Sequence, residues 1–156
     1  MIHFERALEF RAAPDEIWNV LGRFMHIEEF APKVTAVEAL TSGADGVGSK
    51  RRCQFEDGTS VVEEVTEWED NKFYRVQLSE MEAMPLHSAM AQIEVKPLGE
   101  GMAKVIWGMD YHVKYGPLGW LLGQTMMKMM MGKILDGNLR GLAQKVEENR
   151  NQIRVG

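Results

Sequence analysis

Hydrophobic and polar positions alternate from the first residues of the chain. Ile2, Phe4, Leu8 and Phe10 share one side and His3, Glu5, Ala7 and Glu9 the other, with Arg6 interrupting the apolar row. A period of two predicts a strand. The next stretch, Ala13-Pro14-Asp15-Glu16-Ile17-Trp18-Asn19-Val20-Leu21, reads as a helix. Pro14 supplies a helical φ in the first turn, and the two acids face the positive end of the helix dipole. Gly22 interrupts this helix, and a second short one over Ile27 to Phe30 is closed by Pro32.

From Lys33 to Val113 the pattern is one of strands divided by turns. Val34–Leu40 and Gly48–Phe55 flank the loop Ser42-Gly43-Ala44-Asp45-Gly46. Asp57-Gly58 is a hairpin signal between Phe55 and a strand from Thr59 to Trp68. Phe73–Leu78 precedes an irregular segment with Met81, Met84 and Pro85, and His87–Val95 ends at Pro97-Leu98-Gly99-Glu100-Gly101. In the last strand Val105, Trp107, Met109, Tyr111 and Val113 alternate with Lys104, Ile106, Gly108, Asp110 and His112. Gly116-Pro117 then opens a helix running to about Asn149. In its second half Leu135, Leu139, Leu142, Ala143 and Val146 recur at spacings of three and four, the mark of one buried face. Gly132, Gly137 and Gly141 lower its propensity and predict either close approach to the sheet or a bend. Strand, two short helices, about six strands and a long helix make an α+β protein with an antiparallel sheet. With no repeat or linker in view, the expectation is one domain over residues 1–156.

Composition narrows the function classes. The net charge of −5 speaks against a general nucleic-acid binder. The single cysteine, Cys53, excludes an internal disulfide framework and suits a reducing compartment. The first residues lack the basic-then-apolar layout of a signal peptide, so a cytoplasmic location is expected. No apolar run is long enough for a membrane span. His3, His26, His87 and His112 form no metal-binding spacing, and no phosphate loop or Ser-His-acid pattern is visible, so neither metal nor cofactor is expected.

Pieces spread along the chain carry a resemblance. They are Ala13-Pro14-Asp15-Glu16-Ile17-Trp18, Val47-Gly48-Ser49-Lys50-Arg51, Asp57-Gly58 with Glu64-Val65, Val95 to Gly101, Trp107, Gly116-Pro117-Leu118-Gly119 and Leu139-Arg140-Gly141-Leu142 with Glu147. In this order the sequence resembles the polyketide cyclase/dehydrase and lipid-transport branch of the START/Bet v 1-like (SRPBCC) superfamily. The resemblance implies a helix-grip fold: a curved sheet of about seven antiparallel strands around the long C-terminal helix, with a cavity between them. It also implies a hydrophobic ligand, and in some members a cyclisation or related step. Fold alone does not choose between these.

The resemblance puts Arg51 at the Arg position of the family's Gly-x-x-Arg strand opening and Glu64 at the Glu position of the following strand. As a pair they could orient a ligand carbonyl or carboxylate; the plain alternative is a cross-strand ion pair that closes one end of the sheet. Lys50, Arg52 and Glu63 are their neighbours, and a slip of one residue exchanges faces. Tyr74, Val76, Leu78, Trp107, Met109 and Tyr111 occupy inward positions of their strands, and with Leu122, Met126 and Met129 of the helix they are the expected lining. The mouth is expected at the loops Ser42–Gly46 and Met81–Leu86, beside the start of the long helix.

Five of the chain's 12 methionines fall between Met126 and Met131, and from Trp120 to Ile134 apolar residues surround the helix, with Lys128 and Lys133 the only charges. Such a helix must bury more than its sheet-facing side, against ligand, a second copy in a homodimer, a partner or a peripheral membrane surface. Three readings stand: a carrier or sensor of a lipid, polyketide or quinone-like molecule, a cyclase/aromatase-type enzyme using the same cavity, and an interaction module acting through the Met-rich helix.

Overall fold

The structure, a computed structural model, describes residues 1–82, 86–114 and 116–155, apart from the side chains at 122, 123, 154 and 155. The order is β1 (Ile2–Phe10), α1 (Pro14–Leu21), a 3-10 helix (Phe24–Glu29), β2 (Val34–Ala39), β3 (Lys50–Phe55), β4 (Ser60–Glu69), β5 (Phe73–Ser79), β6 (Leu86–Gly99), β7 (Met102–Val113), α2 (Gly116–Leu122), a π-helical turn (Gly123–Met127) and α3 (Lys128–Val155). The strands form one antiparallel sheet in the order β1-β7-β6-β5-β4-β3-β2. Consecutive strands pair by hairpins, while α1 and the 3-10 helix carry the chain from one edge of the sheet to the other. The alternation predicts an antiparallel α+β protein, and the helix-grip arrangement is the one the resemblance implies.

Sequence patterns explain most of these elements. At α1, Pro14 takes the first turn and the Glu16 side chain accepts the Ala13 N–H at 3.1 Å, satisfying one of the helix's free amide donors. The inward positions Tyr74, Val76 and Leu78 of β5 and Val105, Trp107, Met109 and Tyr111 of β7 are all buried. A register shift between Val65 and Glu67 interrupts β4, the kind of bulge that bends a sheet. Arg6 keeps its place in the apolar row of β1 because its guanidinium covers the Phe4 ring at 4.6 Å and meets Asp136 of α3 at 3.6 Å.

The long helix departs from the expectation of one continuous rod. It is divided by the π-helical turn, where Thr125 Oγ1 donates to the Leu121 carbonyl at 3.0 Å. Below that turn Met131, Leu135, Leu139, Leu142 and Val146 form the buried stripe. The glycines allow close approach. A Cβ on Gly141 would lie 1.9 Å from the Phe30 carbonyl oxygen, and one on Gly132 would lie 2.8 Å from Arg6 Nη2. The first of these contacts is with the end of the 3-10 helix, not with the sheet.

Candidate functional site

A cavity of about 320 Å3 lies between the concave face of the sheet and α3. Its walls are largely apolar: Val61, Leu78, Ala91, Trp107 and Met109 from the sheet, Ile27 from the 3-10 helix, and Met130, Ile134 and Leu135 from α3. Two polar side chains interrupt them, Glu63 on β4 and Asn138 on α3. Lys33, Val34 and the hairpin tip from Phe55 to Thr59 stand at one side of the cavity, with Lys33 and Glu56 paired at 3.0 Å. The opening is therefore beside the β3–β4 hairpin, and Ser42–Gly46 do not line it, contrary to the expectation for that loop. Residues 83–85 of the other expected mouth lie outside the described residues. Beside them is a separate open hollow of about 620 Å3, lined by Gln77–Glu82, Leu86–Ser88 and Lys114.

Glu63 is the exposed member of a buried polar cluster. Arg51 stands directly opposite it on β3. Arg51 Nε donates to Glu63 Oε1 at 3.3 Å, and Nη2 lies 3.2 Å from the same oxygen, off the direction of a good hydrogen bond. Nη1 donates to the Phe24 carbonyl, and the guanidinium lies 3.8 Å from the centre of the Phe24 ring. Cys53 Sγ also donates to Glu63 Oε1, at 3.1 Å. Among the described residues, the hydrogen bonds that Glu63 accepts all run to Oε1. Tyr74, wholly buried, presents a hydroxyl with no well-directed hydrogen bond.

The electrostatics of this cluster follow from burial and from the carboxylate. Burial works against a charged Arg51, but the attraction of Glu63 outweighs it and the guanidinium is held more firmly cationic than usual. Burial pushes the Cys53 thiol up, and Glu63 adds to the effect, so this sulfur is a structural donor rather than a nucleophile. The Tyr74 hydroxyl is pushed up to about 12, chiefly by burial, and stays protonated at neutral pH. Around Tyr74 the rings of Trp18, Trp68 and Phe24 pack within 5.1 to 6.1 Å of its own and seal this end of the grip.

Several expected site residues fall elsewhere. Glu64 faces outward and pairs with Lys50 at 3.2 Å, so the inward partner of Arg51 is Glu63. Leu78, Trp107 and Met109 wall the cavity; Tyr74, Val76 and Tyr111 are buried core residues that do not. Met126 and Met129, expected to line it, are 66% and 69% exposed because the π-helical turn and the start of α3 present them to the outside. The Leu122 side chain lies outside the described residues. Glu63, Cys53, Met130, Ile134 and Asn138 were missed, although Cys53 follows Arg51, and Glu63 lies between Val61 and Val65, at the inward period of their strands. Among the described residues, no group of three or more His, Cys, Asp or Glu side chains is placed to hold a metal ion.

The family described as polyketide cyclase/dehydrase and lipid transport matches residues 1–147. The chain belongs to that family. Its fold is shared with solved structures of low sequence identity. The aromatase/cyclase Zhui from Streptomyces sp. R1128 superposes with a TM-score of 0.78 at 14% identity, covering 94% of this chain and 93% of that one. XoxI from Bacillus cereus gives 0.79 at 19%, covering 96% and 99%. A START superfamily protein from Mycobacterium smegmatis gives 0.74 at 20%, covering 94% and 97%. No curated protein matches the chain. Family membership and the apolar cavity agree on hydrophobic-ligand binding in general.

Proposed function

We propose that this family member binds an apolar small molecule whose one polar end donates a hydrogen bond to Glu63. The carrying observation is a carboxylate on the wall of an otherwise apolar cavity, its charge compensated from behind by the buried Arg51. A carboxylate accepts and does not donate, so it favours a hydroxyl, phenol or N–H over an ether or a carbonyl. Asn138 on the opposite wall adds an amide NH2 that donates and a carbonyl that accepts. The volume is at the small end of the usual range of about 300–1,000 Å3, which suits a compact ring system. Apolar burial drives binding and Glu63 orients the ligand.

A matched pair of probes tests this reading. Calorimetry should find 2-naphthol bound about tenfold or more tightly than 2-methoxynaphthalene, since a hydrogen bond to a charged group contributes about 1.5–3 kcal/mol. Arg51→Met with Glu63→Leu, which removes the acceptor without leaving a buried charge unpaired, should abolish the preference, and Ala91→Phe on the cavity wall should abolish binding of both. Equal affinities in the unaltered protein would overturn the assignment of Glu63.

The same carboxylate favours a second reading, a cyclase-type enzyme in which Glu63 removes a proton from a bound phenol or enol precursor. The relative from Streptomyces is an aromatase/cyclase by name. That reading requires Glu63→Gln to abolish turnover of a polyketide-like substrate while the substrate still binds.

A further inference from the structure

The outer face of the helical segment that covers the cavity is apolar where a soluble surface would be polar. Leu118, Trp120, Leu121, Met126, Met129 and Met130 are all substantially exposed. On α3 the same outer face turns polar further along, at Lys133 and Arg140, while Met131, Leu135 and Leu139 face the core. Exposed large apolar side chains gathered on one segment mark a docking surface.

Two further observations identify what docks there. The first is charge. From Tyr111 to Leu135 the chain carries Lys114, Lys128 and Lys133 and neither Asp nor Glu, although the whole protein has a net charge of −5. Of the carboxylates on the cavity's rim and the adjoining turn of α3, Asp136 is met by Arg6, Glu56 by Lys33, and Asp57 accepts from Thr59. Lys114 shares its hollow with Glu80 and Glu82, which leaves Lys128 and Lys133 as the cations of the apolar face. The second is continuity: Met130 is 45% exposed on this face and also walls the cavity, with Ile134 one turn on.

We propose that this face docks on a membrane surface containing anionic lipid and sets the cavity against it. Exposed Trp, Leu and Met side chains on one segment, with lysines among them, suit the boundary between headgroups and acyl chains. The segment lies on the bilayer and does not cross it; among the described residues no helix is long and apolar enough to span one. With Met130 at the lipid surface, the α3 wall of the cavity faces the bilayer.

Vesicle sedimentation of the full chain tests the proposal. Vesicles of phosphatidylcholine with one-third phosphatidylglycerol should bind the protein about tenfold more tightly than phosphatidylcholine alone, given two lysines at an anionic surface. Lys128→Gln with Lys133→Gln should remove that difference. Met126→Gln with Met129→Gln should release the protein from both kinds of vesicle, leaving its melting temperature and its 2-naphthol binding in place; Met130 is kept because it walls the cavity. Absence of sedimentation with either vesicle overturns the proposal. So does a dimer in analytical ultracentrifugation that the methionine pair dissociates, because the face then covers a second copy. The 2-naphthol assay contains no lipid, so failure here leaves the reading of the cavity standing.

Discussion

Two ion pairs sit side by side on the β3–β4 hairpin and face opposite ways. Arg51 and Glu63 are directly opposed and point inward, with side chains 1% and 13% exposed. Lys50 and Glu64 are also directly opposed, one residue on, and point outward at 41% and 46%. Both pairs have an N···O distance of 3.2 Å. In sequence each is a basic residue and a glutamate on neighbouring strands; in the fold one forms the polar part of a cavity and the other lies on the surface. The difference is desolvation. Water screens the outer pair to little consequence, whereas the inner pair has lost its water and depends on its protein partners.

The comparison breaks most severely at Arg51. Arg51→Ala strands Glu63 in an apolar wall, and urea unfolding should show a loss of about 3–5 kcal/mol. Arg51→Met with Glu63→Leu removes both charges and replaces them with apolar volume. That double variant should recover most of the loss, to within about 1 kcal/mol of the original protein, while showing no preference for 2-naphthol. If it proves as unstable as Arg51→Ala, the pair holds the fold rather than serving the cavity. On the outer side, Lys50→Ala and Glu64→Ala should each change stability by less than about 1 kcal/mol, and the change should shrink at high salt.

The smallest effect lies at the other end of the sheet. His3 donates toward Asp110 on β7 and Glu5 on β1, and these hydrogen bonds raise its pKa above the usual 6.5. A raised histidine contributes stability that is fully present below the unfolded pKa and lost as pH rises through the folded one. Unfolding followed from pH 6 upward should therefore show a decline of only a few tenths of a kcal/mol, since the group is well exposed. Asp110→Asn should flatten that decline.

The register of the hairpin decides which glutamate faces Arg51, where the resemblance had pointed to Glu64. A two-residue turn centred on Asp57-Gly58 would set Arg51 opposite Glu64. The structure instead forms a three-residue loop, with Phe55 N–H donating to the Thr59 carbonyl and Gly58 at φ 88°. Asp57 accepts from the Thr59 N–H and hydroxyl, which favours this loop. One residue of difference moves each side chain of the strand to the other face relative to its partner. The Asp57-Gly58 signal located the turn correctly without specifying its length.

Local chemistry in the sequence was enough to determine the succession of strands along the chain, the two short helices and the buried stripe of α3. Alternation and three-four spacing are consequences of backbone geometry, and each residue carries that information independently of its distant neighbours. It also determined that the segment around Met126–Met131 has more apolar surface than one face can bury. Tertiary structure alone decided what that surface does. The π-helical turn rotates Met126 and Met129 outward, Met130 reaches the cavity, and a single residue of loop length makes Glu63 rather than Glu64 the partner of Arg51. Faces depend on register and helix phase, and those are fixed by packing across the whole molecule.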